Sequence, residues 1–592
     1  MIMRYLTTAA QPSFKSQFRA SRFAEYSLRS GKIIDEKELP AAMIERVVNT
    51  LFDVELSFQT PSRKIKKLKE NFGYFLDNKY CVMSTPIMTN AGRYKNRPLS
   101  ACTVPPVSLK EDKRILKKVI DQFHQDGMGT GFSLDDTQDP IRILKFLNNI
   151  ALAGAKSGKE DRPVGNMATL AISHPRIADF IDAKINADSE EAWKFNISVD
   201  INDDFINAVK KEEVFLLKDG KKIDARKTLN KIAQNAATCG DPGLVFMNRF
   251  NKDNPTPGVG EYVSTAPCGE VGLAPGESCQ FGYINLGRFV EHGGSIDYKN
   301  LEKLVRLLTR SLDNALEISI NRFSHEKNRS IMKAKRKIGI GVCGLADMLL
   351  RMKIPYASPE ARNLTKNIII FINFFSKDES CELAKKRGSF TAMHIKNGCQ
   401  YNNNPGFLEE KYGKLETELI SRKMWLRLGE KIRSTQCLRN ASTIALPPTG
   451  RSSLVIDASA GIEPIFSLTE NNGRINKYLH RELKKVGIDD NLIKTICRKG
   501  TIADLDEIPD SLRECYKTAI EIDSHDHLSM VEAIQGVIDE SISKTINLPN
   551  TATAKEVEQI FLKAHTMGLK GVTVFRMGSR KMQPKVLANI NK

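Results

Sequence analysis

The sequence predicts an α/β protein built as one large domain, and two observations carry that prediction. From about residue 80 onward, short β-branched or apolar runs alternate with longer helical patterns. No linker, internal repeat or low-complexity stretch interrupts that alternation, which continues to the neighbourhood of residue 580. Periodicity of this kind suits a barrel or an open sheet, and leaves both open.

The elements follow in order. Residues 1–75 read as helical, because PAAMIERVVNTLF (40–52) and the lysine-rich stretch after Pro61 carry apolar residues at three- and four-residue spacing. Candidate strands are GLVFM (243–247), IGIGV (338–342), TIAL (443–446) and VTVF (572–575). Candidate helices are HPRIADFIDAK (174–184), YKNLEKLVRLLTRSLDNALEI (298–318) and AKEVEQIFLKAHTMG (554–568). The expected organisation is a helical region over 1–75, an α/β body over 76–580 and a short tail over 581–592.

Composition excludes several classes. With 41% hydrophobic and 27% charged residues, the 592-residue chain has a globular, not a disordered, balance. No apolar run approaches the ~20 residues of a membrane-spanning helix. The N-terminal stretch is basic and acid-poor like a transit peptide, but lacks the apolar core of a secretory signal. It reads as a mobile or helix-leading arm, and a cytoplasmic location is the default expectation. A formal charge of +19 favours anionic partners such as nucleotides. No basic run is interleaved with aromatics, so a solvated basic surface is preferred over nucleic-acid binding. Eleven cysteines are scattered without a CxxC pair or the density of a disulfide scaffold. Most are expected as reduced, buried thiols, and no metal-ligand set is predicted.

The stretch that carries chemistry is Asp253 to Leu286, DNPTPGVGEYVSTAPCGEVGLAPGESCQFGYINL. Its Pro267-Cys268-Gly269 tip, set among glycines, predicts a tight projecting loop, since Gly supplies backbone conformations other residues avoid. Glu270 follows two residues after Cys268, so a thiol and a carboxylate can face one substrate, and Cys279 lies eleven residues on. Taken alone, this is an irregular loop with two cysteines.

The same stretch resembles the finger loop of the ribonucleotide reductases, most closely the adenosylcobalamin-dependent class, whose pattern is DNPTP…STNPCGE…ESCNLGSINL. The likeness continues in family order through STPIMTNAG and LSAC (84–102), DGMGTGF (126–132), HPRIADFIDAK, FNISVDINDDF, GDPGLVFMNRFNKDNPTP, RKIGIGVCGLADMLL, PPTGRSS…GIEPIF, SKTINLPN and GLKGVTVFRMGSR. It covers nearly the whole chain from residue 75 to 580. The resemblance implies a ten-stranded α/β barrel of two five-stranded half-barrels, with the finger loop through its centre.

It also implies roles. Cys268 matches the radical cysteine, which removes the 3′-hydrogen of a ribonucleotide once adenosylcobalamin has supplied the radical. Glu270 matches the carboxylate that takes the 3′-hydroxyl proton. Cys102 and Cys279 match the pair that reduces the sugar and ends as a disulfide. Pro448, Thr449, Gly450, Arg451 and Ser452 match a phosphate-binding turn, and Thr85, Ala101, Cys102 and Gly129 match positions lining the substrate. The implied substrate is a ribonucleoside di- or triphosphate. A deoxynucleotide effector at a dimer face is a further expectation, with the 298–318 helix as interface or, equally, as a core-facing amphipathic helix. Monomer and homodimer both stand.

Three departures qualify the resemblance. Ala266 stands where the family has the asparagine that helps hold the sugar hydroxyls. No cysteine follows Cys515, so re-reduction is expected from a thioredoxin-like protein, a small thiol or a separate tail-bearing chain. The N-terminal region shows no likeness to the ATP-cone module. A rival reading, a large subunit fed by a separate radical-generating subunit, needs a tyrosine relay near the C-terminus. Phe575 stands there, and no tyrosine follows Tyr516. A second rival keeps the fold but acts on a different nucleotide.

Overall fold

A computed structural model describes residues 13–579, apart from 157–163, 186–192, 405, 414–415 and 470–472. The expected tail over 581–592 lies outside the described residues. After an extended segment, helices Arg22–Ser30, Pro40–Asp53 and Ser62–Asp77 form the N-terminal region. Met43, Val47, Leu51 and Phe52 on one face of the second helix meet Ile65, Phe72 and Leu76 of the third, in the same core that holds the sheets.

The strands are β1 (Cys81–Met83), β2 (Cys102–Thr103), β3 (Gly129–Ser133), β4 (Asn166–Ala171), β5 (Phe195–Asp200), β6 (Val214–Leu216), β7 (Lys222–Asp224), β8 (Gly243–Val245), β9 (Ser264–Thr265), β10 (Gly272–Leu273), β11 (Phe281–Asn285), β12 (Gly339–Cys343), β13 (Thr545–Leu548) and β14 (Gly571–Arg576). One sheet runs β13-β14-β8-β5-β4-β3-β2, and a second runs β1-β11-β12. Within the first, β2, β3, β4, β5 and β8 are parallel neighbours, β13 and β14 are parallel, and β14 meets β8 antiparallel. Strand β11 is parallel to β12 and carries β1 antiparallel on its other edge. Single bridges continue the pattern: Ile340–Ile444 and Leu446–Ile542 are parallel, and Thr103–Ser278 is antiparallel. The predicted strand 443–446 is present only as these two bridges, while the other three candidates coincide with β8, β12 and β14 to within two residues at each end. Both faces of β4, β11 and β12 are buried, as parallel strands covered by helices require.

Helices begin where side chains satisfy their free N–H groups. Asp297 caps Tyr298–Arg322, Ser358 caps Pro359–Arg387 with a proline in its first turn, and Thr553 with Glu556 forms a capping box before Ala554–Thr566. The predicted 174–184 helix contracts to Ile177–Ile181. Tyr298–Arg322 is buried all round through Ser311–Leu316, where it is a core helix, while Glu302, Lys303, Arg306, Leu307 and Arg310 stay partly exposed. A buried carboxylate explains its polar interior. Asp313 pairs with Arg336 at 2.6 Å, Arg387 at 2.8 Å and Arg439 at 3.2 Å, which hold it well below the usual carboxylate range despite burial. Leu350, Leu468 and apolar residues between Ile475 and Tyr516 form a separate small core around Leu479, Leu483 and Ile496. Among the described residues no helix is long and apolar enough to cross a membrane, and no group of three or more His, Cys, Asp or Glu side chains is arranged to hold a metal.

Candidate active site

Strands β9 and β10 pair antiparallel, with Thr265 opposite Gly272 and Ser264 opposite Leu273, so the predicted loop is a narrow hairpin. Beyond the stem, Ala266 N–H donates to Val271 O at 3.0 Å, and Gly269 N–H donates to Ala266 O at 2.9 Å. The turn therefore has proline at its second position and glycine at its fourth. Gly269 takes φ +76°, a left-handed conformation that favours glycine. Cys268 is thereby presented at the tip and is exposed. It faces a cavity of about 360 Å³ shared with Asn196, Ser198, Phe466, Ile542 and Phe575.

The hairpin seats against strand backbone. A Cβ at Gly131 would lie 2.2 Å from Thr265 O, so only glycine admits the stem there. At Gly129 a Cβ would lie 2.7 Å from Gly165 O, 3.1 Å from Pro267 Cγ and 3.2 Å from Cys102 Sγ. The absent side chain thus lets the tip approach Cys102. Lysines from β12's approach brace the base: Lys337 Nζ donates to Gly272 O at 2.7 Å, and Lys335 Nζ donates to Gly260 O at 3.0 Å. Both pair with Glu277 at 3.1 Å, and Lys337 also reaches Glu540 at 3.2 Å.

Glu270 is buried, 3% exposed, and its carbonyl accepts Ser541 N–H at 2.9 Å. Burial pushes its carboxyl up to about 7, against the opposing pull of the Glu270 and Cys268 backbone N–H groups. One carboxyl oxygen, Oε2, is enclosed without a hydrogen-bond partner. An acid tuned to neutrality, with an open acceptor two residues from a presented thiol, has the properties of a general base.

Cys102 and Cys279, 177 residues apart, are neighbours. Cys279 N–H donates to Cys102 O at 3.4 Å, Cys279 Sγ lies 3.9 Å from that oxygen, and Ala101 N–H donates to Cys279 O at 2.9 Å. Both are free thiols. Burial, then the hydrogen bond and charge of the Cys102 thiol, then Glu270 push the Cys279 thiol far up. The two sulfurs and the carboxyl thus share one neighbourhood.

The remaining predicted residues are divided. Ala101 accepts Gly129 N–H at 3.0 Å, which ties β2 to β3 beside Cys102. Thr85 is buried in the first turn of helix Thr85–Asn90. Of the 448–452 turn, Pro448 lines the cavity with Cys268, whereas Thr449, Gly450, Arg451 and Ser452 do not. Thr449 adopts φ 54° at the start of helix Gly450–Val455, and its Oγ1 accepts Gly461 N–H at 2.7 Å. Arg451 is exposed, its Nη1 3.7 Å from where a Gly31 Cβ would sit, so it turns toward the N-terminal region and not into the cavity. Thr85, Ala101, Cys102, Gly129 and Glu270 likewise lie off this cavity's lining. Ala266 brings a fully buried methyl to the base of the tip.

Sequence reasoning missed Asn196, whose Nδ2 donates to Pro267 O at 3.0 Å, and Lys544, on the cavity wall and bound to Glu463 at 2.6 Å. Both lie in stretches singled out for likeness alone, FNISVD and SKTINLPN. The alternation of Asn196 and Ser198 between buried apolar neighbours was the available signal.

Comparison with known proteins bears on this arrangement. The family described as "Ribonucleotide reductase, barrel domain" matches residues 133–575. A vitamin B12-dependent ribonucleoside-diphosphate reductase of Thermoplasma acidophilum is 32% identical over 533 residues, covering 85% of this chain and 64% of the relative. One of Mycobacterium tuberculosis is 30% identical over 612 residues, covering 98% of this chain and 82% of the relative. The chain thus spans just under two thirds of the Thermoplasma protein's length. The solved structure of the Actinobacillus ureae class Id ribonucleotide reductase alpha subunit matches with a TM-score of 0.74, over 97% of this chain and all of that one. At 18% identity that likeness bears on the fold alone. A barrel-domain match over most of the chain, reinforced by relatives at 30% identity and above, establishes the family: the chain belongs to the ribonucleotide reductases.

Proposed function

We propose that the protein reduces ribonucleotides to 2′-deoxyribonucleotides with adenosylcobalamin as cofactor. The observation that carries this reading is the placement of one presented thiol, Cys268, beside a buried near-neutral carboxyl, Glu270, and a free thiol pair, Cys102 and Cys279.

The cavity lining suits the cofactor. Leu244, Phe466, Ile542, Val574 and Phe575 give it an apolar wall that would receive the adenosyl group, while Asn196, Ser198 and Lys544 add polar groups to the lining. When bound, adenosylcobalamin would supply the radical. The chain's residues do the rest. Cys268 Sγ, as thiyl, takes the hydrogen from C3′ of the ribose. Glu270 Oε2 accepts the 3′-hydroxyl proton, and later returns it to the 3′-oxygen, while the first of the two protons of the Cys102–Cys279 pair goes to the 2′-hydroxyl, which leaves as water. Cys102 and Cys279 give two electrons and two protons to the sugar and close as a disulfide. Cys268 then returns its hydrogen to C3′. The first-turn N–H groups of Gly450, Arg451 and Ser452 would hold phosphate, with Pro448 and Thr449 shaping the turn. Thr85, Ala101 and Gly129 would line the sugar side.

The strand pairings support a ring of ten strands. The seven-stranded sheet would continue from β13 through the Leu446–Ile542 and Ile340–Ile444 bridges to β12 and β11, and return to β2 through Thr103–Ser278. Residues 76–580 would form this unit, with 1–75 as a helical annex. A ribonucleoside di- or triphosphate is the substrate, a thioredoxin-like protein or a tail-bearing chain the reductant, and a deoxynucleotide the effector, on a monomer or homodimer.

The test is a single turnover of prereduced protein with adenosylcobalamin and each of the four ribonucleotides. Deoxynucleotide is expected from the native protein and none from Cys268→Ser. Full activity of Cys268→Ser would overturn the assignment. Cys102→Ser and Cys279→Ser should block reduction yet leave 3′-hydrogen exchange measurable.

A further inference from the structure

The hairpin tip is packed by backbone on one side and held by a side chain on another. Gly129 and Gly165 admit the Pro267 ring, and a Cβ at Gly165 would lie 3.2 Å from Pro267 Cβ. The side chain is Asn196, the second residue of β5, whose Nδ2 donates to Pro267 O at 3.0 Å. Strand alternation sends Phe195 and Ile197 into the apolar core and leaves Asn196 open on the wall it shares with Cys268.

That bond falls on the peptide joining Pro267 to Cys268. The same peptide's N–H, which belongs to Cys268, faces the Glu270 carboxylate and favours its ionised form. A peptide group is planar, so holding its carbonyl fixes the direction of its N–H and of the Cα that follows. Asn196 grips one end of a rigid plate whose other end touches the carboxylate and carries the thiol. Ala266, the residue before Pro267, adds only its methyl to this arrangement.

We infer that Asn196 is a positioning residue for both reacting groups: it aims the Cys268 thiol into the cavity and polarises the Cys268 N–H toward Glu270. The inference rests on the roles proposed above for Cys268 and Glu270. Hydrogen bonds in series strengthen one another, by about 10–30% per bond, so removing the amide weakens the next donor in line. A carboxylate with a weaker donor is harder to ionise.

The experiment compares the native chain with Asn196→Ala, Asn196→Leu and Asn196→Gln. In single turnover with adenosylcobalamin, Ala and Leu are expected to lower kcat on the order of tenfold to 10²-fold, the scale of a misplaced reacting group. KM for the nucleotide should stay within about threefold, the acid limb of the pH profile should move to higher pH, and Gln should restore part of the rate. A second readout needs no turnover: infrared titration of the Glu270 carboxyl, identified against Glu270→Gln, should give a higher midpoint in Asn196→Ala than in the native chain. Should Ala or Leu weaken β5, Asn196→Ser gives the same comparison with a small polar side chain. A Glu270 midpoint unmoved in every folded variant overturns the inference, as does kcat within about twofold of native for Ala. An inactive native protein with a shifted midpoint would instead overturn the reaction assignment and uphold the role of Asn196.

Discussion

Cys279 directs both its amide and its thiol at the carbonyl oxygen of Cys102, at 3.4 Å and 3.9 Å. One backbone oxygen thereby brings into register two thiols that stand on strands of opposite direction, β2 and the segment leading into β11. Mild oxidation with diamide is expected to join this pair before any other among the eleven cysteines. Peptide mapping after alkylation of the remaining thiols should recover a 102–279 disulfide, absent from Cys102→Ser and from Cys279→Ser. Cys102, the more exposed member, should be alkylated first in the reduced protein, since burial holds the Cys279 thiol in its protonated form.

Glu270 makes stability depend on pH in a stated direction. Its carboxyl sits near 7 in the fold against an ordinary value of 4.5, so the folded protein holds that proton more tightly than the unfolded chain. The associated stability is complete below the ordinary value and is lost as pH rises through 7, on the order of 3 kcal/mol. Glu270→Gln, which cannot ionise, should match the native chain at pH 4 and exceed it at pH 8.5. Urea unfolding at the two pH values checks this, and an equal gap at both would remove the basis for a proton acceptor at this position.

Gly129→Ala tests the seat of the tip. The added methyl meets Gly165 O, Pro267 and Cys102 Sγ at once, two of them on parts of the site that must stay in register. Turnover is expected to fall on the order of 10²-fold while the melting temperature drops by only a few degrees. A collapse of stability with no selective loss of rate would contradict a positional role for this contact.

Asp313 carries a different expectation. Three guanidinium groups surround it, and its replacement by Asn removes the buried charge they share, leaving Glu317 to Arg336 and Arg439 and Glu55 to Arg387. Asp313→Asn should destabilise by roughly 3–5 kcal/mol, read from urea midpoints at neutral pH. Because its carboxyl is held far below the ordinary 3.8, this contribution is fully present above that value and is lost only as pH falls well below it.

How far the sequence could be read depends on the range of the interaction concerned. The Pro-Cys-Gly tip was legible because a turn is decided by four adjacent residues, and Gly269 adopts the conformation its position implies. The Tyr298 helix was legible as a helix from its spacing, but its surroundings were not. The ion cluster that makes it internal draws on residues 336, 387 and 439, which no local pattern links. TIAL looked like a strand and forms only bridges, because its amides alternate between two neighbours: Ala445 donates to Ile340 and Leu446 to Ser541. Arg451, placed on phosphate by likeness, faces the N-terminal region because the helix it begins packs on Arg22–Ser30.

The bond from Ser541 N–H to Glu270 O has a consequence for biosynthesis. The nascent hairpin leaves the ribosome some 270 residues before the amide that completes its seat. Glu540, which receives the bracing Lys337, arrives equally late. A chain arrested before this point lacks these last supports of its thiol-bearing tip. The thiol-bearing tip thus depends on contacts made by residues synthesised long after it.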